Sequence, residues 1–380
     1  MRLAPAAVIA AASTAFLSLG VVISVLPPFI RGDLHSSDTA VGIVMGSLPI
    51  AAVILRLVGG SAIDRRGPRP FLILGLLLCA SSSVLYAIAD SPAALIPARV
   101  VHGAGESVVF TAGIVWVLAL TPSERRGQVI GLYGLCVWSG LSVGPPAGDL
   151  LARNLGRGAV WTTVAIAPLA GASLVCFVRG PKLVPAERSE RAVIARGALV
   201  PGMALGLAAV GAVSLLSFGV LLLRDRGLAG GGGIIAVYAA ATAATRIFAG
   251  KLPDRLGGFR TALVGCAFGA AGPAVLAVAH SFPVAALGAA LGGIAWGLIY
   301  PGISLLVLSR VPDAQRAAGF ATIGVCWDLA FGIGSVALGV IADLTSYGVM
   351  FGVASLVVLT SIPALVGSRH ARQLDALSDR

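Results

Sequence analysis

Apolar stretches long enough to cross a bilayer as helices recur from one end of the chain to the other, and the short breaks between them hold nearly all of its charge. About 20 consecutive apolar residues span the hydrocarbon core, and a helix satisfies its own backbone there. Read from charge to charge, the pattern predicts spans near 4–28, 40–62, 71–89, 94–119, 128–150 and 159–178, then 199–222, 231–250, 261–279, 284–308, 318–342 and 348–366. Twelve spans result, six on each side of the longest hydrophilic link. The predicted organisation is a six-helix bundle over 1–178, a cytoplasmic linker over 179–197, a second six-helix bundle over 198–366 and a cytoplasmic tail over 367–380, either a short helix or disordered. The first span follows Arg2 but is too long for a secretory signal, so it reads as an uncleaved helix.

Composition supports the same class, an all-α membrane protein. Hydrophobic residues make up 57% of the chain, charged residues 11%, and mean hydropathy is +0.97, which excludes an ordinary soluble domain. With the N-terminus inside, the inner breaks collect Arg2, the arginines of 65–69, Arg125, Arg126, the linker's basic residues, Lys251, Arg255, Arg260, Arg310, Arg316 and the tail arginines. Only Arg31, Arg153, Arg157, Arg224 and Arg226 lie outside, so both termini are expected in the cytoplasm. The net charge of +11 is then a matter of topology, and no nucleic-acid partner is needed to explain it. Lysine occurs only at 182 and 251, and with the abundance of Ala and Gly this suggests a GC-rich bacterial source and an inner-membrane location. The five cysteines lie in apolar segments without metal-ligand spacing and read as packing residues. No zinc helix, paired catalytic carboxylates or Gly-Lys-Ser/Thr phosphate loop occurs, so no catalytic residue, metal or cofactor is expected, and neither an enzyme nor an ATP-driven pump is indicated.

The chain also repeats itself. Gly60, Asp64, Arg65 and Gly67 return as Gly250, Asp254, Arg255 and Gly257, each set preceded by a lone intramembrane arginine, Arg56 or Arg246. The same shift of 190 aligns Gly103 with Gly293, Pro122 with Pro312, Arg126 with Arg316, Cys136 with Cys326 and Gly144 with Gly334. Six spans return a half to its starting side, so the duplication is parallel, as in transporters whose halves rock about a central site. Arg56 and Arg246 read as structural residues whose side chains snorkel to the inner interface.

On these motifs the chain resembles the major facilitator superfamily. Gly60-Ser-Ala-Ile-Asp64-Arg65-Arg66-Gly67-Pro68-Arg69 is similar to that family's signature between its second and third helices, and Gly250 to Arg260 to the copy between the eighth and ninth. The resemblance implies a cytoplasmic latch that holds one conformation; a fixed topological anchor is the competing reading of the same loop. Asp64 at a helix C-terminus calls for a cationic partner or a neighbouring helix N-terminus to offset the macrodipole, and Arg65, Arg66 and Arg69 are near in sequence.

Departures from the repeat carry the candidate chemistry. Arg99, His102 and Glu106 share one helical face; Arg99 followed by small residues resembles the family's fourth-helix motif, which is associated with proton coupling, and this sequence adds His102 and Glu106 to that pattern. Under the shift of 190, Glu106 aligns with Trp296, and Trp138 with Asp328. A carboxyl at mid-membrane costs several kcal/mol when charged, at about the scale of insertion measurements, and so resembles a proton carrier. Asp149 and Asp343, near the outer span ends, read as simply solvated. Gly140, Gly144, Pro145 and Gly148 form a smooth stripe; the resemblance implies the signature of the 12-helix drug/proton antiporters, hence efflux and multidrug resistance. Trp138, Trp296, Trp327 and Tyr300, with Tyr133 and Phe331, are candidate linings of an apolar cavity or else packing residues. The expectation is a monomeric exporter of a small amphipathic or hydrophobic solute in exchange for protons. The alternative is a proton-coupled importer of a small anion, with Arg99 holding its carboxylate.

Overall fold

The computed structural model describes residues 3–122, 126–178, 180, 195–312 and 315–378, with the side chains of 55–62, 64, 65 and 368–378, among others, outside that description. Among the described residues there is no strand. The helices run in order α1 (Leu3–Pro28), α2 (Asp38–Arg66), α3 (Pro68–Ile88), α4 (Pro92–Ala119), α5 (Arg126–Asn154), α6 (Arg157–Cys176), α7 (Arg196–Asp225), α8 (Gly231–Phe248), α9 (Leu252–Leu256), α10 (Gly258–Ala277), α11 (Phe282–Leu308), α12 (Arg316–Leu344) and α13 (Tyr347–Ser378). Ten of them are long and apolar enough over the described residues to cross a membrane, and α2 adds a shorter apolar stretch over Asp38–Ile54. Large apolar side chains such as Ile54, Val84, Ile166, Ile333 and Leu356 stand on the outer surface, where lipid would meet them. By contrast α7 is apolar all round and buried on nearly every side.

Local chemistry sets the boundaries. Ser37 and Ser91 cap α2 and α4, their side chains accepting from the backbone N–H groups of Ala40 and Ala94. Pro68 and Pro92 open α3 and α4, where the absent N–H has no helical partner to lose. Gly67 joins α2 to α3 at φ 84°, ψ 158°, and Gly257 joins α9 to α10 at φ 77°, ψ 157°. Both are in a region that excludes a Cβ, so the two signature loops need glycine at the same repeat position. The copies differ just before that turn. Whereas α2 continues unbroken through Asp64 to Arg66, α8 stops at Phe248 and a separate turn, α9, holds Asp254 and Arg255. Pro253, at the position of Ile63 in the first copy, cannot donate to the preceding helical turn.

Packing pairs correspond across the shift of 190. In the first half α1 packs on α5 and α6, α4 on α2 and α3, and α3 on α6; in the second, α7 packs on α12 and α13, α11 on α8 and α10, and α10 on α13. Gly103 of α4 lies on the Leu48 carbonyl, and Gly293 of α11 lies on the carbonyl of Tyr238, the aligned residue.

The halves meet mainly through α2 against α12 and α5 against α8. The closest approaches sit toward the Asp38 end of the bundle: Gly42 and Gly46 against the backbone of Ser335 and Gly332, Gly339 against Asp38, and Gly232 against the Pro145 carbonyl. Here the structure corrects the reading of Asp343. Its carboxylate accepts from the backbone N–H of Asp38 and of Thr39, both at 2.8 Å, and from the Thr39 hydroxyl at 2.6 Å, so it caps α2 from the opposite half. Tyr347 donates to Asp38 at 2.7 Å and Arg31 pairs with it at 3.2 Å, completing a knot of polar contacts between the halves. Asp149 likewise is paired, with Arg153 one turn on at 2.8 Å. The first turns of a helix attract an anion, which solvation alone at Asp343 would leave unused. The tail, expected as a separate short helix or disordered, instead continues α13 without a break to Ser378.

Candidate functional site

Side chains from both halves converge where α5, α8, α11 and α12 face one another. Trp296 and Trp327 lie with ring centroids 4.1 Å apart, Tyr300 is 6.0 Å from Trp296, and Phe331 is 6.0 Å from Trp327. On the other side Trp138 of α5 meets Tyr238 of α8 at 6.1 Å. Arg246 joins the two groups: its guanidinium carbon is 5.3 Å from the Trp138 ring centre and 5.9 Å from that of Tyr300, both within cation–π range. A cavity beside this assembly is lined by Tyr238, Trp296, Ile299, Gly211, Gly269 and Gly292. All four sequence-predicted aromatics therefore belong to one neighbourhood, whereas Tyr133 does not. Its hydroxyl is buried and donates to the carbonyls of Val109 and Phe110, tying α5 to α4.

Two members were missed. Arg246 does not snorkel to the interface; the rings of Trp138 and Tyr300 hold its head group. The rule that an intramembrane charge marks a functional site by default would have found it. Tyr238 has no such signal beyond standing two helical turns before Arg246 on the same helix.

The charged face of α4 is mostly turned into the first half. Arg99 is 1% exposed and donates through Nε to the Val44 carbonyl at 3.4 Å and through Nη2 to the Met45 carbonyl at 3.2 Å. It ties α4 to α2. His102, fully buried, has Ser18 of α1 at 3.2 Å from Nε2 and Tyr86 of α3 at 3.4 Å from Nδ1. Both ring nitrogens thus serve helix packing. Glu106 is half-buried at the middle of α4, and Asp328 is 3% exposed beside Trp327 on α12.

The glycine stripe of α5 packs on α1. Gly140 lies against Phe16 and Leu17, Gly144 against Gly20, and Gly148 against Val21 and Ser24, each so close that an added Cβ would collide. Ser24 donates to the Pro145 carbonyl at 2.9 Å, and the same carbonyl abuts Gly232 of α8. The stripe is therefore a packing seam within one half that continues into the contact between halves.

Of the signature loops, Arg69 donates to the Cys176 carbonyl at 2.7 Å, satisfying the C-terminus of α6. The side chains of Arg56, Asp64 and Arg65, and any contact at Gly60, lie outside the described residues, as does most of the 179–197 linker. Asp254 and Arg255 are exposed, and Gly250 sits over the Arg246 carbonyl. Among the described residues no group of three or more His, Cys, Asp or Glu converges on a metal-sized site.

Comparison with known proteins agrees with this architecture. An uncharacterized MFS-type transporter of Salmonella typhimurium is 30% identical over 346 residues, 88% of this chain and 89% of its own length. One from Burkholderia mallei is 29% identical over 344 residues, 88% of this chain and 84% of its own. A variant of the nucleoside transporter NupG superposes with a TM-score of 0.83 at 12% identity, covering 96% of this chain and 99% of its own. A bacterial homologue of the lysosomal transporter Spinster, inward-facing and occupied, gives 0.74 at 16%, covering 100% and 98%. The human organic anion transporter MFSD10 gives 0.72 at 17%, covering 96% and 99%. At such identities the superpositions speak for the fold alone. The family model of the Major Facilitator Superfamily matches residues 8–334 and again 222–375, and with the membrane-spanning helices and the matched relatives it establishes that the chain is a multi-pass membrane transporter belonging to that superfamily.

Proposed function

We propose that the chain exports a small amphipathic or hydrophobic solute in exchange for protons, by alternating access between two parallel six-helix halves. The observation that carries this reading is the placement of Asp328, a carboxyl 3% exposed at the middle of α12, next to the aromatic cluster of Trp296, Trp327 and Tyr300. In this scheme Asp328 takes up and releases the proton as the two halves move. Glu106, at the middle of α4, is the second carrier in this scheme. The rings offer an apolar body face-on contact on a surface that both halves share. The glycine stripe of α5 supports export through its likeness to the antiporter signature, and its seam on α1 keeps α5 fixed to its own half as the contact with α8 opens.

In this reading both termini face the cytoplasm of a bacterial inner membrane, the Asp38 end faces outward and the structure is closed on that side. The test uses everted vesicles: acidifying the lumen drives solute into it when the chain is an antiporter. Accumulation only under an opposite gradient, moving with protons, would sink the export reading. Glu106→Gln and Asp328→Asn are each expected to abolish pH-driven transport while leaving downhill exchange of solute. Full pH-dependent transport in both variants would remove both residues from the proton path.

A further inference from the structure

The transport scheme leaves Arg246 without a task. Arg99 turns two of its nitrogens, Nε and Nη2, onto carbonyls of a neighbouring helix and leaves Nη1 without a partner. Arg246 is held differently. Its charge lies over the faces of Trp138 and Tyr300, which attract a cation without themselves engaging the in-plane N–H donors. The Nε is buried with no hydrogen-bond partner. Gly134 of α5 lies at its edge: among the described residues, a Cβ added there would meet only Nη1 of Arg246, at 3.6 Å. A planar five-donor fork, braced by two rings at the boundary between halves with a glycine at its edge, has the geometry to take a planar oxyanion in two parallel hydrogen bonds.

We propose that Arg246 is the binding group for a carboxylate on the transported solute, and that the substrate class is an organic anion with an aromatic or apolar body. The inference rests on the transporter reading and narrows its substrate. The carboxylate enters beside Gly134 and meets the guanidinium edge-on, while the body lies against Trp138, Tyr300 and Trp296. Both halves contribute, Trp138 and Gly134 from the first and Arg246 and Tyr300 from the second, so the bound anion spans the surface that alternating access must part.

The test is equilibrium binding to the purified full chain in lipid nanodiscs, with three matched series of probes. They are phenylacetate, 1-naphthylacetate and indole-3-acetate, each beside its amide and its arylethylammonium counterpart. At least one carboxylate is expected to bind about tenfold or more tighter than its amide and its ammonium, as charge-assisted hydrogen bonds require. Arg246→Gln should bring carboxylate and amide to within about twofold, and Arg246→Lys should keep the preference at lower affinity. Should Arg246→Gln fail to fold, Gly134→Leu fills the space while leaving the guanidinium in place and should abolish carboxylate binding. The proposal is overturned by an amide or ammonium that binds as tightly as its acid, by a preference that survives Arg246→Gln, or by no carboxylate binding at millimolar concentration. Flux of the bound acid into proteoliposomes under a pH gradient separates the two claims. Binding without flux sinks the exchange reading and keeps the anion site; flux of an amide or ammonium without acid binding does the reverse.

Discussion

At the scale of single residues, close helix approach and paired polar groups make sharp demands. A methyl added at Gly144 points into the backbone of Gly20 and Leu17, and overpacking of this kind costs about 1–3 kcal/mol. Gly144→Ala should therefore lower the thermal unfolding midpoint of the purified protein. Gly352→Ala, on α13 with nothing within 4 Å, should leave it unchanged or raise it slightly. His102→Gln should cost about 1–3 kcal/mol, because Ser18 and Tyr86 lose a partner of the right shape, yet leave the pH profile of transport where it was. A displaced profile would return His102 to the proton path. The sequence made Glu106, Asp328, Arg99 and His102 legible as intramembrane polar residues, since such groups stand out against an apolar background. It did not show which of them face inward, because direction on a helix depends on neighbours far away in the chain. Arg99 and His102 share a face with Glu106 and still spend their hydrogen bonds inside the first half.

Elements carry the contacts between halves. The amino end of α2 has its N–H groups satisfied by Asp343 of α12, a cap delivered in trans rather than by a neighbour in sequence. A cap of this kind is worth about 0.5–2 kcal/mol. Asp343→Ala should then shift the balance between closed and open states at the Asp38 end by about two- to thirtyfold. Spin labels at Leu155→Cys and Val278→Cys, exposed sites in the two halves, would read the shift as a gain in longer distances, with exposed Cys176 replaced by Ser. An unchanged distance distribution would mean the cap does not hold that end shut. Nothing in the local sequence announces this role, as Asp343 resembles any acid at a span end. The interruption of α8 before α9 was, by contrast, written in Pro253, a residue that the alignment with Ile63 passes over. Helix boundaries were legible where a Ser or Pro punctuates the chain, as at Ser91 and Pro92, and were blurred where α13 runs on past its apolar part.

For the whole molecule, hydropathy and the 190-residue shift made class and neighbour order readable, because lipid forces helices and a duplicated sequence repeats its packing. Gly103 and Gly293 show this most plainly, each resting on the carbonyl of an aligned residue in its own half. The joint between halves was not readable in this way, since it is where the copies differ. Trp138 aligns with Asp328 and Tyr238 with Leu48, and only the fold shows that rings from α5 and α11 hold Arg246 from α8.

The 4.1 Å approach of Trp296 and Trp327 has an optical consequence. Two indoles so close couple their excitations, giving a paired band of opposite sign in ultraviolet circular dichroism. They sit on adjacent helices of the second half, while Trp138 lies across the joint beside a positive charge, which should shift its emission. A ligand that draws Arg246 away from Trp138 would move the emission of one chromophore and leave the coupled pair intact. Rotation of α12 relative to α11 would erase the paired band and leave the emission of Trp138 in place. The unlabelled protein thereby separates occupancy from rearrangement by colour alone.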